Sequence, residues 1–358
     1  MTDTFDAVVV GAGPAGLTAA CLLAHAGART ALVGRLDPTG VDARTVALML
    51  PALRLLAGLE LWPADLQVLS APLRKLRIID DTGSPFRAPE LVFSVEEIGQ
   101  EAFGWNVPLA ALCSSLGRAA KAFGIELLGT QACSLKLANG HALVALVDGR
   151  ELSAPVVLAA DGCNSIMRRA TEISAREWTY DQSALVLSFG HSAAHRDTST
   201  EYHKQAGPFT TVPLPGGRSS LVWMEQPERA EALFGLSEPA LCAEIQAASH
   251  GDLGRIGELG PRGLFPISGM RASALGRNRV LLIGEAGHVL PPIGAQGLNM
   301  SLRDAEAAAG LIGKALIGGE DAGSPMLLAR YDAARRADVL MGQSAVDLMN
   351  RSLLKGST

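Results

Sequence analysis

Three stretches of the chain carry residue types at spacings suited to holding a dinucleotide. The first is Gly11-Ala12-Gly13-Pro14-Ala15-Gly16. It follows the β-branched run Asp6 to Val10 and opens an Ala/Leu-rich segment, Leu17 to Ala26, with Gly27 as its stop. In a strand–turn–helix of this kind Gly11 allows the tight turn. Gly13 lets a pyrophosphate approach the backbone, and Gly16 lets helix and strand pack closely. The helix start at Pro14 and Ala15 offers free N–H groups and a positive dipole end to phosphates. The second stretch is Ala160-Asp161-Gly162-Cys163-Asn164-Ser165. The third runs from Ile283-Gly284-Glu285-Ala286-Gly287-His288 through Pro292, Gly294, Gly297 and Leu298 to Asn299. Each follows an apolar run that reads as a buried strand. Asp161 and Glu285 are carboxylates able to accept hydrogen bonds from sugar hydroxyls. The Gly294 to Asn299 run brings bare backbone to a helix start, where negative charge on a cofactor ring would be stabilised. His288 suits a structural role.

The acid that usually follows the glycine turn by about 20 residues is missing. The second strand, Thr30 to Val33, ends instead at Gly34-Arg35. Arg35 reaches toward the adenine side or the phosphates of a dinucleotide, or is a solvated surface arginine; both readings stand.

The elements that must position these loops are those of an α/β chain. Its 358 residues suggest two domains or one interleaved unit. With 48% hydrophobic and 19% charged residues, a core is expected and global disorder is not. A formal charge of -5 argues against a nucleic-acid partner. The five cysteines are odd in number and contain no Cys-x-x-Cys pair, which argues against disulfides and a metal site. The first six residues have no basic region of the kind a signal peptide begins with, and no uncharged apolar run reaches the roughly 18 residues of a spanning helix. A soluble, cytoplasmic protein is expected.

Along the chain, Arg44 to Leu59 reads as a helix interrupted at Pro51, and Leu73 to Asp80 as a strand. Asn106 is placed to cap a helix running to Phe123. Asn139-Gly140 and Asp148-Gly149 read as hairpin turns between short strands. Pro155 to Ala160 and Arg279 to Gly284 read as buried strands. The region 178–226 reads as antiparallel β, with a hairpin at Pro215 to Arg218. Helices are expected over Glu228 to Phe234, Pro239 to Ser249 and Asn299 to Leu316. The pattern suggests a nucleotide-binding domain interrupted by insertions.

The ordered motifs resemble those of the FAD-dependent aromatic monooxygenases of the p-hydroxybenzoate hydroxylase fold. More narrowly, they resemble the ubiquinone-biosynthesis hydroxylases (UbiH/UbiF-type). The carriers are the glycine turn at Gly11, Asp42 to Leu48, the Asp161-Gly162 segment, Tyr180 to Ala184, Pro213 to Trp223 and Pro291 to Ala305. The resemblance implies a Rossmann-like FAD-binding domain over 1–70, 101–175 and 262–358. It is interleaved with an antiparallel-β substrate domain over 71–100 and 176–261. It further implies that Gly11, Gly13 and Gly16 hold the pyrophosphate of a non-covalent FAD and that Arg44 reaches its phosphates. Asp161 and Gly162 would serve FAD and NAD(P)H handling. Glu285 would bind the ribityl chain from a position where the family more often has Asp. Pro292, Gly294, Gly297, Leu298 and Asn299 would line the flavin ring.

The family chemistry is reduction of FAD by NAD(P)H, then attack of a flavin C4a-hydroperoxide, formed with O2, on the ring of a prenylated phenol or quinol. The flavin carries the reaction, and no side chain presents itself in the sequence as its acid or base. The substrate would lie between the flavin loop and the segments 183–188 and 209–223, in a pocket with an apolar mouth. A multi-enzyme ubiquinone-biosynthesis complex, with at most peripheral contact at the inner membrane surface, is the expected setting. Hydroxylation of a small soluble aromatic on the same fold, flavin-dependent reduction of an isoprenoid chain and a non-catalytic FAD-binding subunit remain open alternatives.

Overall fold

A computed structural model describes residues 2–36, 44–85 and 87–355. At its centre is a six-stranded sheet in the order Gly276–Arg277, Val280–Leu282, Val156–Ala159, Ala7–Val10, Thr30–Val33, Glu126–Leu128. Every pairing in it is parallel except that of Gly276–Arg277. Parallel strands covered on both faces read as unbroken apolar runs. That is how Ala7–Val10 and Val156–Ala159, buried at every position, announced themselves. The helix Pro14–His25 lies against both Leu109–Ala122 and Gln296–Ile317 over this sheet. A smaller four-stranded sheet contains the two expected hairpin turns, at 139–140 and 148–149.

The second large sheet is almost wholly antiparallel. Its order is His288–Val289, Gly263–Ala272, Ala175–His191, Arg218–Glu225, Gly207–Leu214, Thr198–Lys204, Lys75–Asp80, Leu91–Ser94, with Ile256–Gly257 paired beside 190–191. Alternation gives it two faces. Leu185, Leu187, Phe189, Tyr202, Phe209 and Trp223 point to one side, against Leu233, Leu241 and Ile245 of the helices Pro227–Phe234 and Glu238–Ala248. Ala184, Val186, Met224 and Ile267 point to the other, against Ile293 and Val346. Val346 belongs to the C-terminal helix Pro325–Lys355, which the sequence pattern did not foreshadow.

Three expected elements are corrected. Residues Thr45–Met49 are a strand paired with Gly104–Pro108, and the helix begins only at Leu50. Pro51 sits in the helix's first turn, where its missing N–H has no cost, so it begins the helix and does not interrupt it. The stretch Leu73 to Asp80 divides between two sheets, as Ala71–Leu73 and Lys75–Asp80. Asn106 lies inside the strand Gly104–Pro108, and the following helix starts at Leu109 after Pro108. The Asn106 side chain is 1% exposed and donates to the Pro213 carbonyl at 2.9 Å and to Ser220 Oγ at 3.2 Å. Thr45 Oγ1 donates to the same Ser220 oxygen at 2.8 Å. These polar contacts clip the three-stranded sheet of Thr45–Met49, Gly104–Pro108 and Ala71–Leu73 to the hairpin of the large one.

Candidate active site

The three motif loops leave the carboxyl ends of adjacent strands: Val280–Leu282, Val156–Ala159 and Ala7–Val10 are neighbours in the parallel sheet. Ligands of open α/β sheets bind at that end. Gly11 has φ +113, and a Cβ built there would lie 2.1 Å from the Ala160 carbonyl oxygen. At Gly16 it would lie 1.9 Å from the Gly11 oxygen. Both glycines are therefore required by packing. Gly13 is different: a Cβ built on it meets no atom of the described residues within 4 Å. The helix behind it has Pro14 in its first turn, no side-chain cap and no acid. Among the described residues no side chain caps its first N–H groups or its positive end.

The second loop holds itself together. Asp161 Oδ1 accepts from Ser165 Oγ at 2.6 Å, and Oδ2 accepts from the backbone of Ile166 at 2.7 Å and Met167 at 3.2 Å. The carboxylate thus caps the short helix Ile166–Ala170. Gly162, at φ +79, presents backbone with nothing among the described residues within 4 Å of a built Cβ. Arg168, to which the sequence pattern assigns no role, fastens this loop to the third. Its buried guanidinium donates to the Cys163 carbonyl at 2.7 Å and the Ala286 carbonyl at 2.8 Å.

In the third loop Glu285 is exposed on a short 3-10 turn, and Pro292, Gly294 and Gly297 are exposed beyond it. Neither Gly294 nor Gly297 has an atom of the described residues within 4 Å of a built Cβ. Ala295 is held at φ +54, a conformation an L residue adopts at some cost, at the start of the helix Gln296–Ile317. That helix also lacks a side-chain cap and any acid in its first turn. Leu298 is half-buried against the main core. Asn299 is buried, and its amide is fully engaged: Oδ1 accepts from Met49 N at 2.9 Å, and Nδ2 donates to the carbonyls of Ala47 at 2.8 Å and Ala295 at 2.7 Å. It pins the loop to the strand Thr45–Met49. Replacing Asn299 with Ala leaves one donor and two acceptors without their partner, at about 1–3 kcal/mol. A lower melting temperature and a looser loop, read as weaker FAD binding in a titration, are expected; unchanged values would deny Asn299 this anchoring role.

Arg35 is exposed just past the strand Thr30–Val33. Arg44 is exposed, with its guanidinium over the Phe265 ring at 5.8 Å, so it bridges toward the large sheet. Asp42 and Ala43 of the same segment lie outside the described residues. His288, read as structural, is buried and bonded through Nε2 to Asp304 Oδ2 at 2.6 Å. Asp304 also accepts from Gly284 N at 3.0 Å and from Arg335 Nε at 2.7 Å. The network supports the Glu285 turn from beneath.

These features fit FAD: open backbone where phosphates would lie, two uncapped helix starts, and an exposed carboxylate at a strand end. The model of the FAD binding domain family matches residues 4–68 and 117–345. A ubiquinone hydroxylase, UbiL, of Rhodospirillum rubrum is 32% identical over 355 residues, covering 97% of this chain and 81% of that one. The chain belongs to the FAD-dependent monooxygenases of the ubiquinone-hydroxylase family. The 3-demethoxyubiquinol 3-hydroxylase of Escherichia coli is 28% identical over 351 residues, covering 96% and 88% of the two chains. Among solved structures, the monooxygenase PqsL of Pseudomonas aeruginosa superposes with a TM-score of 0.82 at 22% identity, covering 99% and 97%. At that identity the likeness speaks for the fold, which is the p-hydroxybenzoate hydroxylase fold. No described helix is long and apolar enough to cross a membrane.

Proposed function

We propose that this monooxygenase hydroxylates the aromatic ring of a polyprenylated phenol in ubiquinone biosynthesis, with NAD(P)H as electron donor. FAD would supply the activation of O2. The chain's own residues hold and orient it: Gly11, Gly13 and Gly16 with the helix start at the pyrophosphate, Arg44 toward the phosphates, Glu285 at the ribityl chain, and the backbone from Pro292 to Leu298 along the ring. Ile293, packed on Ala184, Val186 and Met224, closes one side of the site against water.

The observation that carries the substrate class is a change of character along one face of the large sheet. Val222 faces the flavin loop, Thr210 lies opposite it, Glu201 opposite Thr210, Ile78 opposite Glu201, and Leu91 opposite Ile78. Beyond the polar pair the face ends in Leu91 and Phe93, 49% and 44% exposed. An apolar strip leading away from a partly polar floor suits a phenol head with a long isoprenoid tail. The names of the curated relatives point the same way.

The test is an extract of cells lacking this protein, restored with the purified chain and given prenylated phenols or small hydroxybenzoates. Hydroxylation of the prenylated substrates, read by mass, is expected. Restored hydroxylation of the small acids alone would overturn the quinone assignment.

A further inference from the structure

Tyr202 of the strand Thr198–Lys204 points into the helix-covered core, where its hydroxyl bonds Asp252 at 2.9 Å and the Ser249 carbonyl at 3.2 Å. Successive strand residues point to opposite faces. Glu201 and His203 therefore lie on the other face, the one that packs Ala184, Val186, Val222 and Met224 around Ile293 of the flavin loop. Glu201 is two strand spacings from Val222, roughly 10 Å at about 4.8 Å each. His203 Nε2 is 2.7 Å from Glu201 Oε1, and the two side chains are only 21% and 18% exposed. A carboxylate only accepts, so in the neutral ring Nε2 carries the hydrogen and Nδ1 keeps its lone pair. That Nδ1 has no hydrogen-bond partner among the described residues.

We propose that His203 is the base that takes the phenolic proton of the substrate, with Glu201 as its positioning residue. The proposal rests on the reading of the substrate as a phenol. In the step, the phenol O–H bond breaks, the proton passes to His203 Nδ1, and the electron pair stays on the oxygen. The ring gains electron density for attack by an electrophilic oxygen, and Glu201 stabilises the imidazolium that results. No electron is exchanged with a redox partner in this transfer. The dyad lies where such a base is needed, between the flavin-facing floor at Val222 and Thr210 and the apolar strip at Ile78 and Leu91. A phenol oxygen held there leaves its ring toward the flavin loop and its tail toward the strip.

On the two strands that flank His203, the described residues facing it bring one charged group. Asp80 lies opposite it on the neighbouring strand. Its carboxyl is held below the usual range by hydrogen bonds from the Ala88 backbone and from Thr82, and by Arg87. It therefore stays ionised through the working range and adds no titration there. The other flanking strand brings Pro208 and Thr210, which carry no charge.

The experiment binds a chromophoric probe, 2-geranyl-4-nitrophenol, to the FAD-loaded enzyme without NAD(P)H, so that no turnover occurs. Phenol and phenolate forms are read by absorbance across pH. The bound probe should ionise at lower pH than the free one. His203→Gln should keep FAD content, melting temperature and probe affinity within about threefold, yet lose that shift. Turnover of a prenylated phenol should lose its acid limb in the same variant. Glu201→Gln should move the limb to lower pH by about 1–2 units, as expected on removing a charge partner. It also carries the test should His203→Gln fold poorly. A wild-type enzyme that binds the probe without changing its ionisation overturns the base and leaves the phenol reading intact, and so does an unshifted limb in Glu201→Gln. Failure of the wild type to bind any prenylated phenol overturns the phenol reading and the base together.

Discussion

Gly16→Ala enzyme should purify without FAD and should bind added FAD about a hundredfold more weakly, or not at all. The new Cβ would lie 1.9 Å from the Gly11 carbonyl oxygen and 3.2 Å from Ala160 Cβ. Gly11 has no room to yield. Its N–H is bonded to the Val33 carbonyl at 2.7 Å, and it sits so close to the Ala160 carbonyl that a Cβ built on it would lie 2.1 Å from that oxygen. The helix Pro14–His25 must therefore lift from the sheet, and its N-terminus moves with it. Overpacking costs about 1–3 kcal/mol where a side chain can give way. Here the obstacle is backbone, so the upper end applies, and about 2.7 kcal/mol is a hundredfold in affinity. Gly13→Ala is the companion experiment. Nothing among the described residues lies within 4 Å of a Cβ built there, so the apo fold should melt as the parent does while FAD binding is lost. Fluorescence titration with FAD and thermal melts of the apo forms read both. A Gly13→Ala enzyme that binds FAD normally would remove the pyrophosphate from that turn.

The contrast shows where the sequence was legible. The glycine turn and the strands Ala7–Val10 and Val156–Ala159 were readable because each is a local signal in a fully covered parallel sheet. Thr45–Met49 was not, because what makes it a strand is a partner some sixty residues away. Asn106 carries the side chain of a helix cap, yet it serves instead to tie its own strand to Pro213 and Ser220 of the large sheet, a use no local pattern encodes. Asp161 and Asn299 stand out in the sequence as special, but as ligand contacts. The structure shows their polar atoms engaged with the protein itself, shaping the loops whose backbone faces the cleft. Arg168 was visible only as an arginine following a turn, since the Ala286 carbonyl it holds is 118 residues away. The Glu-x-His spacing at 201 and 203 was present in the sequence all along. It gains meaning only once Tyr202 fixes which face of the strand it occupies.

The Asp304 carboxylate is the largest buried electrostatic commitment beneath the site, and removing it should cost about 3–5 kcal/mol of stability. It is fully buried on the helix Gln296–Ile317, with one oxygen on Arg335 and the other shared by His288 and the Gly284 N–H. Arg335 is 7% exposed at its side chain and keeps Asp338, at 2.7 Å, as its charged partner, with a long bond to the Met300 carbonyl at 3.5 Å, when Asp304 is replaced by Ala or Asn. Burial alone would raise the Asp304 carboxyl, but His288 and Arg335 outweigh it and hold it below the usual carboxylate range. A carboxyl lowered by folding adds stability that is fully present above its unfolded pKa, about 3.9, and is lost as pH falls through its lower folded value. The stability gap between wild type and Asp304→Asn should therefore be widest near neutral pH and should narrow below about pH 4. Denaturation midpoints of the two apo proteins across pH measure it; parallel curves with no narrowing would mean that the charge contributes nothing net. The same substitution releases the Gly284 N–H, which sets the turn carrying Glu285, so FAD affinity should fall together with stability. Because Arg335 lies on the helix Pro325–Lys355, the strain reaches that helix as well. Its Gln343 donates to the Met270 carbonyl at 2.7 Å and its Asn350 to Gln182 at 2.9 Å, both on the large sheet. Asp304 thus joins the turn at 284–286, the helix Pro325–Lys355 and the large sheet. In Asp304→Asn all three should loosen in one step, seen as faster amide exchange at Gly284 and along 335–350 alike.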